Sequence, residues 1–240
     1  MKMKNIQILI LLLCGALCFN SCELDNYPGP TGSLSGALID SETGEQVQGD
    51  IISGTQIEYM ELDYDTVNPP IQRLVVKVDG SYRNDMMFEG DYTILPLTRG
   101  NFVPQTDTIE LTIGSGTVHN FEVLPYIRIK DASITIDGTK ITATFKLEQT
   151  VENKVKSYGL WGHSSSAVGE PLQFGKKTKT LNKVVDPEDE YELVMDVRTD
   201  KDFVKGKAYF FRIGAIIDAD EAEFNYAPAV RLTIPLDEEE

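Results

Sequence analysis

The stretch VDGSYRNDMMFEGDYTILP, residues 78–96, decides the fold class. Asp79-Gly80-Ser81-Tyr82 is a tight-turn signal between two strand-like runs: glycine supplies positive φ, and aspartate hydrogen-bonds its own backbone two residues on. Gly90-Asp91-Tyr92-Thr93-Ile94-Leu95 opens the next strand and Pro96 closes it. Tyr82 and Tyr92 each lie two residues after a glycine, where a ring can cover a core edge. Upstream, Leu34, Gly36 and Leu38 alternate with Ser35 and Ala37 before the turn Asp40-Ser41-Glu42-Thr43-Gly44. Ile57 and Tyr59 lie on a second strand, and residues 74–78 form a third. Downstream, Ile109, Leu111 and Ile113 alternate with polar residues, and Phe121 and Val123 close the set. Short alternating runs punctuated by Gly and Asp predict an antiparallel sandwich.

Pro125 interrupts a strand ladder, and alternation resumes at Tyr126-Ile127-Arg128-Ile129. Asp137-Gly138 is a hairpin signal, with Ile141, Ala143, Phe145 and Leu147 on the return strand. Runs at 155–162, 191–197, 208–217 and 229–234, plus a weak one near 172–180, bring this half to seven strands. The expected fold class is therefore all-β: two tandem antiparallel β-sandwich domains after a lipoprotein signal peptide. The expected layout is signal peptide 1–21, lipidated tether 22–32, first sandwich 33–125, second sandwich 126–236 and acidic tail 237–240.

The motifs SGALIDSETGEQV, VDGSYRNDMMFEGDYTILP and HNFEVLP, in that order, resemble the carboxypeptidase regulatory-like, transthyretin-like sandwich. Some proteins of that fold build Lys–Asn isopeptide crosslinks. Lys77 is a conceivable donor, but no acceptor is evident, and a solvent-facing lysine is the expectation. SYGLWGHSS and KGKAYFFRIGA resemble the third and sixth strands of a fibronectin type III or immunoglobulin-like sandwich, with Trp161 as the core tryptophan and Tyr209 as the corner tyrosine. If both rings point inward, period 2 puts Tyr158, Leu160, Phe210, Arg212 and Ile216 on the outer face. That face is too apolar to be free, so it is an expected interface, first with the other sandwich and second with a partner.

The front of the chain sets the compartment. Lys2 and Lys4 precede an apolar run from Ile6 to Phe19, shorter than the roughly 20 residues a spanning helix needs, so it reads as a signal peptide. Ser21-Cys22 resembles a bacterial lipobox, making Cys22 the expected lipid anchor. Cys14 and Cys18 lie inside the apolar run among larger neighbours. No cysteine follows Cys22, so disulfides cannot support the fold. Glu23 and Asp25 resemble the signal that sends Bacteroidetes lipoproteins to the outer face of the outer membrane. Loss of the leader takes away two lysines and no acid, so the charge of −16 becomes −18. That charge disfavours nucleic acid as a partner.

No constellation for chemistry stands out. His119 and His163 fall in different halves without metal-spaced partners. Ser164-Ser165-Ser166 lacks the G-x-S-x-G context. Asp218, Asp220, Glu221 and Glu223 crowd one loop, where oxygens could hold calcium, but without EF-hand spacing a solvated acidic loop is the expectation. No phosphate loop is present. The expectation is a protein that is not an enzyme and needs no cofactor or metal. Candidate ligand-binding residues are His163, Phe224, Asn225 and Tyr226, which fall at loops beside the third, sixth and seventh strands of the second sandwich. Taken whole, the chain resembles an uncharacterised Bacteroidetes surface-lipoprotein family encoded beside SusC/SusD-type glycan importers. That resemblance implies an outer-membrane, cell-surface accessory protein whose partners are a glycan and an importer of that type. The alternative is an assembly subunit docking to an outer-membrane partner without glycan.

Overall fold

The computed structural model describes residues 29–63 and 67–236. Cys22, the leader and the acidic tail lie outside the described residues. The described residues form no helix and sixteen strands, built into four sheets. The all-β reading is correct.

Two sheets make the first half. One joins β4 (Ser81–Met87), β1 (Gly32–Asp40) and β7 (Thr117–Val118), with β8 (Phe121–Val123) also on β1. The other runs β3 (Gln72–Val75), β2 (Gln56–Glu61), β5 (Gly90–Ile94), β6 (Ile109–Ile113). Pairing is antiparallel except where β7 and β8 return parallel to β1. Gly80 and Gly90 both take positive φ, as the quoted stretch requires. Alternation places Leu34, Leu38, Ile57, Tyr82, Tyr92, Ile94, Phe121 and Val123 in one core. Each fully buried aliphatic there is worth roughly 1.5–3 kcal/mol of transfer free energy.

The second half pairs β13 (Glu190–Asp196), β10 (Lys140–Gln149) and β9 (Ile127–Asp137) in one sheet. The facing sheet runs β12 (Gly175–Lys183), β11 (Val155–His163), β14 (Ala208–Ile217), β15 (Asn225–Tyr226), with β16 (Val230–Thr233) also on β14. Its core holds Ile141, Phe145, Leu147, Tyr158, Leu160, Tyr209, Phe211 and Ile213.

Here one expectation fails. Trp161 and Tyr209 do not share a face. In the β11–β14 register Trp161 lies opposite Arg212, while Leu160 lies opposite Ile213 and Tyr158 opposite Ala215. Tyr209 points into the sandwich, but Trp161 points away from it. Tyr158 and Leu160, expected outside, are therefore core residues, at 1% and 0% exposure. The outer face instead carries Phe210, Arg212, Gly214 and Ile216 beside Ser157, Gly159, Trp161 and His163. Trp161 is nonetheless fully buried, in a separate cluster with Val168 and Tyr226 that Phe210 and Phe224 pack against. Gly159 and Gly214 face each other on that outer side. A Cβ on Gly159 would come 2.7 Å from the Trp161 ring, and one on Gly214 would come 2.7 Å from the Tyr226 ring. The glycines are what let both rings lie against the sheet.

Among the described residues β12 pairs only with β11 and leaves a free edge. It carries Lys176, Lys177, Lys179 and Lys183. Lys177 and Lys179 lie opposite Leu160 and Tyr158, on the core-facing side, yet stay exposed. Charges placed so on an edge strand block pairing with a second chain. Replacing Lys177 and Lys179 together by Val is expected to leave the fold intact and to produce concentration-dependent oligomers in size-exclusion chromatography. A strictly monomeric double variant would remove this reading.

Candidate functional site

Residues from Thr31 onward form one compact unit; the outer face of the β11–β14 sheet is covered by Val168, Phe224 and Tyr226 and meets the first half of the chain at Arg212. Arg212 is the centre of the contact. It is 1% exposed and has no carboxylate within ion-pair distance among the described residues. Its Nε donates to Ala227 O at 2.9 Å. Nη1 donates to Gly49 O at 2.8 Å and Val168 O at 3.3 Å, and Nη2 donates to Val78 O at 2.9 Å and Gln48 Oε1 at 3.3 Å. All five N–H groups of the guanidinium are thereby used. The guanidinium carbon also sits 4.3 Å from the Tyr226 ring centroid, a cation–π distance. Burial pulls its pKa down to about 10.

Around this centre lies a polar seam. The Tyr226 hydroxyl donates to Asp50 Oδ2 at 3.2 Å and accepts from Glu170 N at 2.9 Å. Burial pushes the Tyr226 phenol well above its ordinary range. Asn225 accepts from Ile127 N and donates to Asn101 O at 2.8 Å. Asn101 in turn donates to Gln48 O at 2.7 Å and Phe224 O at 3.1 Å. Arg99 pairs with Glu223 at 2.9 Å. At the seam's other flank Arg128 holds three carboxylates: Asp40 at 2.6 Å, Glu42 at 2.6 Å and Glu148 at 2.5 Å. Burial raises the pKa of Asp40, but hydrogen bonds from Arg128, the Glu42 N–H and the Thr43 hydroxyl outweigh it and bring the carboxyl to about 2.

The residues expected to bind ligand are thus scattered in role. Asn225 and Tyr226 are buried and their polar atoms are engaged within the chain. Phe224 is half-buried, edge-on to Trp161 at 5.1 Å, so its ring is no open stacking platform. His163 lies apart from them on the end of β11, tilted against Phe174 at 4.1 Å, with Nδ1 accepting from Ser165 N at 3.0 Å. The acidic loop splits: Glu223 is held by Arg99 while Asp218, Asp220 and Glu221 are exposed. Among the described residues no group of three or more His, Cys, Asp or Glu is placed to hold a metal.

A groove of about 430 Å³ opens along the seam. Its base is Pro125, Ile127, Tyr226 and Ala227; one wall carries Glu45 and Gln46, the other Arg128 and Lys130, with Pro228 at the rim. Asp40 and Asn225 line it too, but both are already bonded. Glu45, Gln46 and Lys130 have no side-chain partner among the described residues. Apolar base and unpaired donors and acceptors at the walls suit a ring with C–H faces and hydroxyl edges. Sequence reasoning missed Asn101, Asp50, Asp40 and Arg128. The available signal was Arg128 itself, a charge within the apolar run Tyr126-Ile127-Arg128-Ile129.

Residues 32–124 match the family model described as the N-terminal domain of a protein of unknown function, DUF3823, and residues 127–231 match its companion C-terminal domain model. The chain belongs to the DUF3823 family. The fold is shared with a crystal structure from Bacteroides uniformis called a "putative carbohydrate binding protein", 32% identical, covering 85% of this chain and 100% of that one, with a TM-score of 0.76. A DUF3823 family protein from Parabacteroides merdae is 21% identical over 86% of this chain and 100% of its own, with a TM-score of 0.73. No curated protein is significantly similar to this one. These DUF3823 matches name no catalytic family.

Proposed function

We propose that this DUF3823 protein is a non-catalytic carbohydrate-binding lipoprotein of the outer cell surface, acting as an accessory to glycan uptake, and that the seam groove is its glycan site. The groove carries the proposal: Glu45, Gln46 and Lys130 stand unpaired over an apolar base contributed by both halves of the chain. The similarity to the Bacteroides uniformis protein called a "putative carbohydrate binding protein" supports the ligand class. The anchor at Cys22 and the association with a SusC/SusD-type importer come from the sequence resemblance.

In affinity electrophoresis against a panel of polysaccharides, the wild-type protein is expected to be retarded by at least one. Gln46→Ala with Lys130→Ala is expected to weaken that binding about tenfold, the effect of removing one or two hydrogen bonds at about 1 kcal/mol each. Thermal stability should not change, because neither side chain is bonded within the fold. Retardation by none of the glycans, or undiminished binding by the double variant, would sink the assignment.

A further inference from the structure

A second cleft, of about 290 Å³, opens at the far mouth of the first sandwich, between the edges of its two sheets. Its floor is the buried rings of Tyr59 and Tyr92 with Met87. Its rim is Met86, Phe88 and Pro70, and its two polar lining groups are Gln72 and Glu61. Met86 is 74% and Phe88 48% exposed, among the largest apolar exposures in the described residues.

Glu61 is the anomaly. It lies on the core-facing row of β2, two residues beyond Tyr59 and directly opposite Tyr92. It is half-buried, and it has neither an ion-pair nor a hydrogen-bond partner among the described residues. Its charge is felt by both tyrosines, whose phenols are pushed up, first by burial and then in part by Glu61. A carboxylate held beside aromatic rings with no cation is costly unless something brings the cation. The surroundings add no positive charge. Asp63 accepts from Asp91 N, and Glu89 accepts from the Thr31 hydroxyl. The arginines on the adjoining strands are already paired, Arg73 with Glu58 and Arg83 with Asp85, each at 2.7 Å. An anionic ligand would be repelled here, and a neutral apolar one would strip water from Glu61 without replacing it.

We propose that this cleft, where Tyr59, Tyr92 and Phe88 line one space with the unpaired Glu61 carboxylate, receives a lysine or arginine side chain presented by a partner protein. The alkyl stem lies against the rings and the methionines, and the cationic head meets Glu61. The exposed collar of Met86 and Phe88 gives the partner's adjoining backbone a surface to rest on, which a free amine would not use. The acidic end of the molecule steers the basic partner towards it.

The test uses the full chain labelled at methionine methyls and titrated with Nα-acetyl-lysine N-methylamide and its uncharged norleucine counterpart. The Met86 and Met87 methyl signals are expected to shift, with lysine favoured over norleucine about tenfold. Glu61→Gln is expected to bring the two within about twofold while the methyl spectrum stays dispersed. A lysine-bearing peptide should bind more tightly than spermidine. Equal affinity for norleucine would mean an apolar pocket only. Spermidine binding as tightly as the peptide would mean a free-amine site. No shift, or an unaltered preference in Glu61→Gln, would overturn the proposal outright.

Discussion

Arg212→Ala is expected to cost about 3–5 kcal/mol of folding stability, since several buried acceptors lose their donor at about 1 kcal/mol or more each. The side chain is 1% exposed and its five N–H groups meet five acceptors on both halves of the chain. Alanine would leave the carbonyls of Gly49, Val78, Val168 and Ala227 without this donor and would open a cavity beneath Tyr226. Arg212→Lys is expected to recover little, because an ammonium has three donors and no planar fork. For a domain of this size each kcal/mol moves Tm by about 2–4 °C, so calorimetry should show a fall of roughly 10 °C. The same variant should change cooperativity. The two sandwich cores are separate clusters, and Arg212 links the halves through Gly49, Gln48 and Val78. Loss of that link should split one melting transition into two. A single transition within about 2 °C of wild type would show that the seam holds without it.

The second large effect is at Arg128. Asp40 is 4% exposed, and Arg128 is its only cationic partner among the described residues. Arg128→Ala should therefore cost about 3–5 kcal/mol near neutral pH, because it leaves a buried carboxylate uncompensated. The pH dependence identifies the cause. In the folded protein Asp40 titrates at about 2, against 3.8 for the unpaired group. A carboxyl whose pKa is depressed on folding stabilises the native state above the unfolded pKa, and that contribution is lost as pH falls through the folded one. In the variant the Arg128 contribution is gone, and burial is opposed only by the Glu42 N–H and the Thr43 hydroxyl. The stability gap between wild type and variant should therefore be full at pH 6 and shrink by about 2 kcal/mol as pH falls from 3.8 to 2. Urea unfolding at pH 6 and pH 2.5 measures it. A gap that does not change with pH would place the loss in packing rather than in the ion pair.

Much of the architecture was legible because strand periodicity is local. Asp79-Gly80 and Gly90 mark turns by their own conformational preferences, and Ile57, Tyr59, Tyr92 and Ile94 mark buried rows by alternation. The candidate site was legible only in part. The sequence singled out Asn225, Tyr226 and Arg212, all of which lie at the seam. It could not show that Asn225 is taken by Asn101, or that Tyr226 is taken by Asp50. Those partners stand 124 and 176 residues away along the chain.

Sequence alone determined that this chain is all-β, free of disulfides after Cys22 and without a recognisable reactive motif. Which face of β11 is inside was decided only by the tertiary structure. Alternation says that Leu160 and Trp161 point in opposite directions, but not which direction is inward. That choice follows from the register with β14, which sets Trp161 opposite Arg212 and Leu160 opposite Ile213. Both faces are apolar, since one packs the sandwich core and the other packs Val168, Phe224 and Tyr226 from neighbouring loops of the same half. With burial on both sides, hydrophobicity cannot distinguish them, and only long-range pairing can.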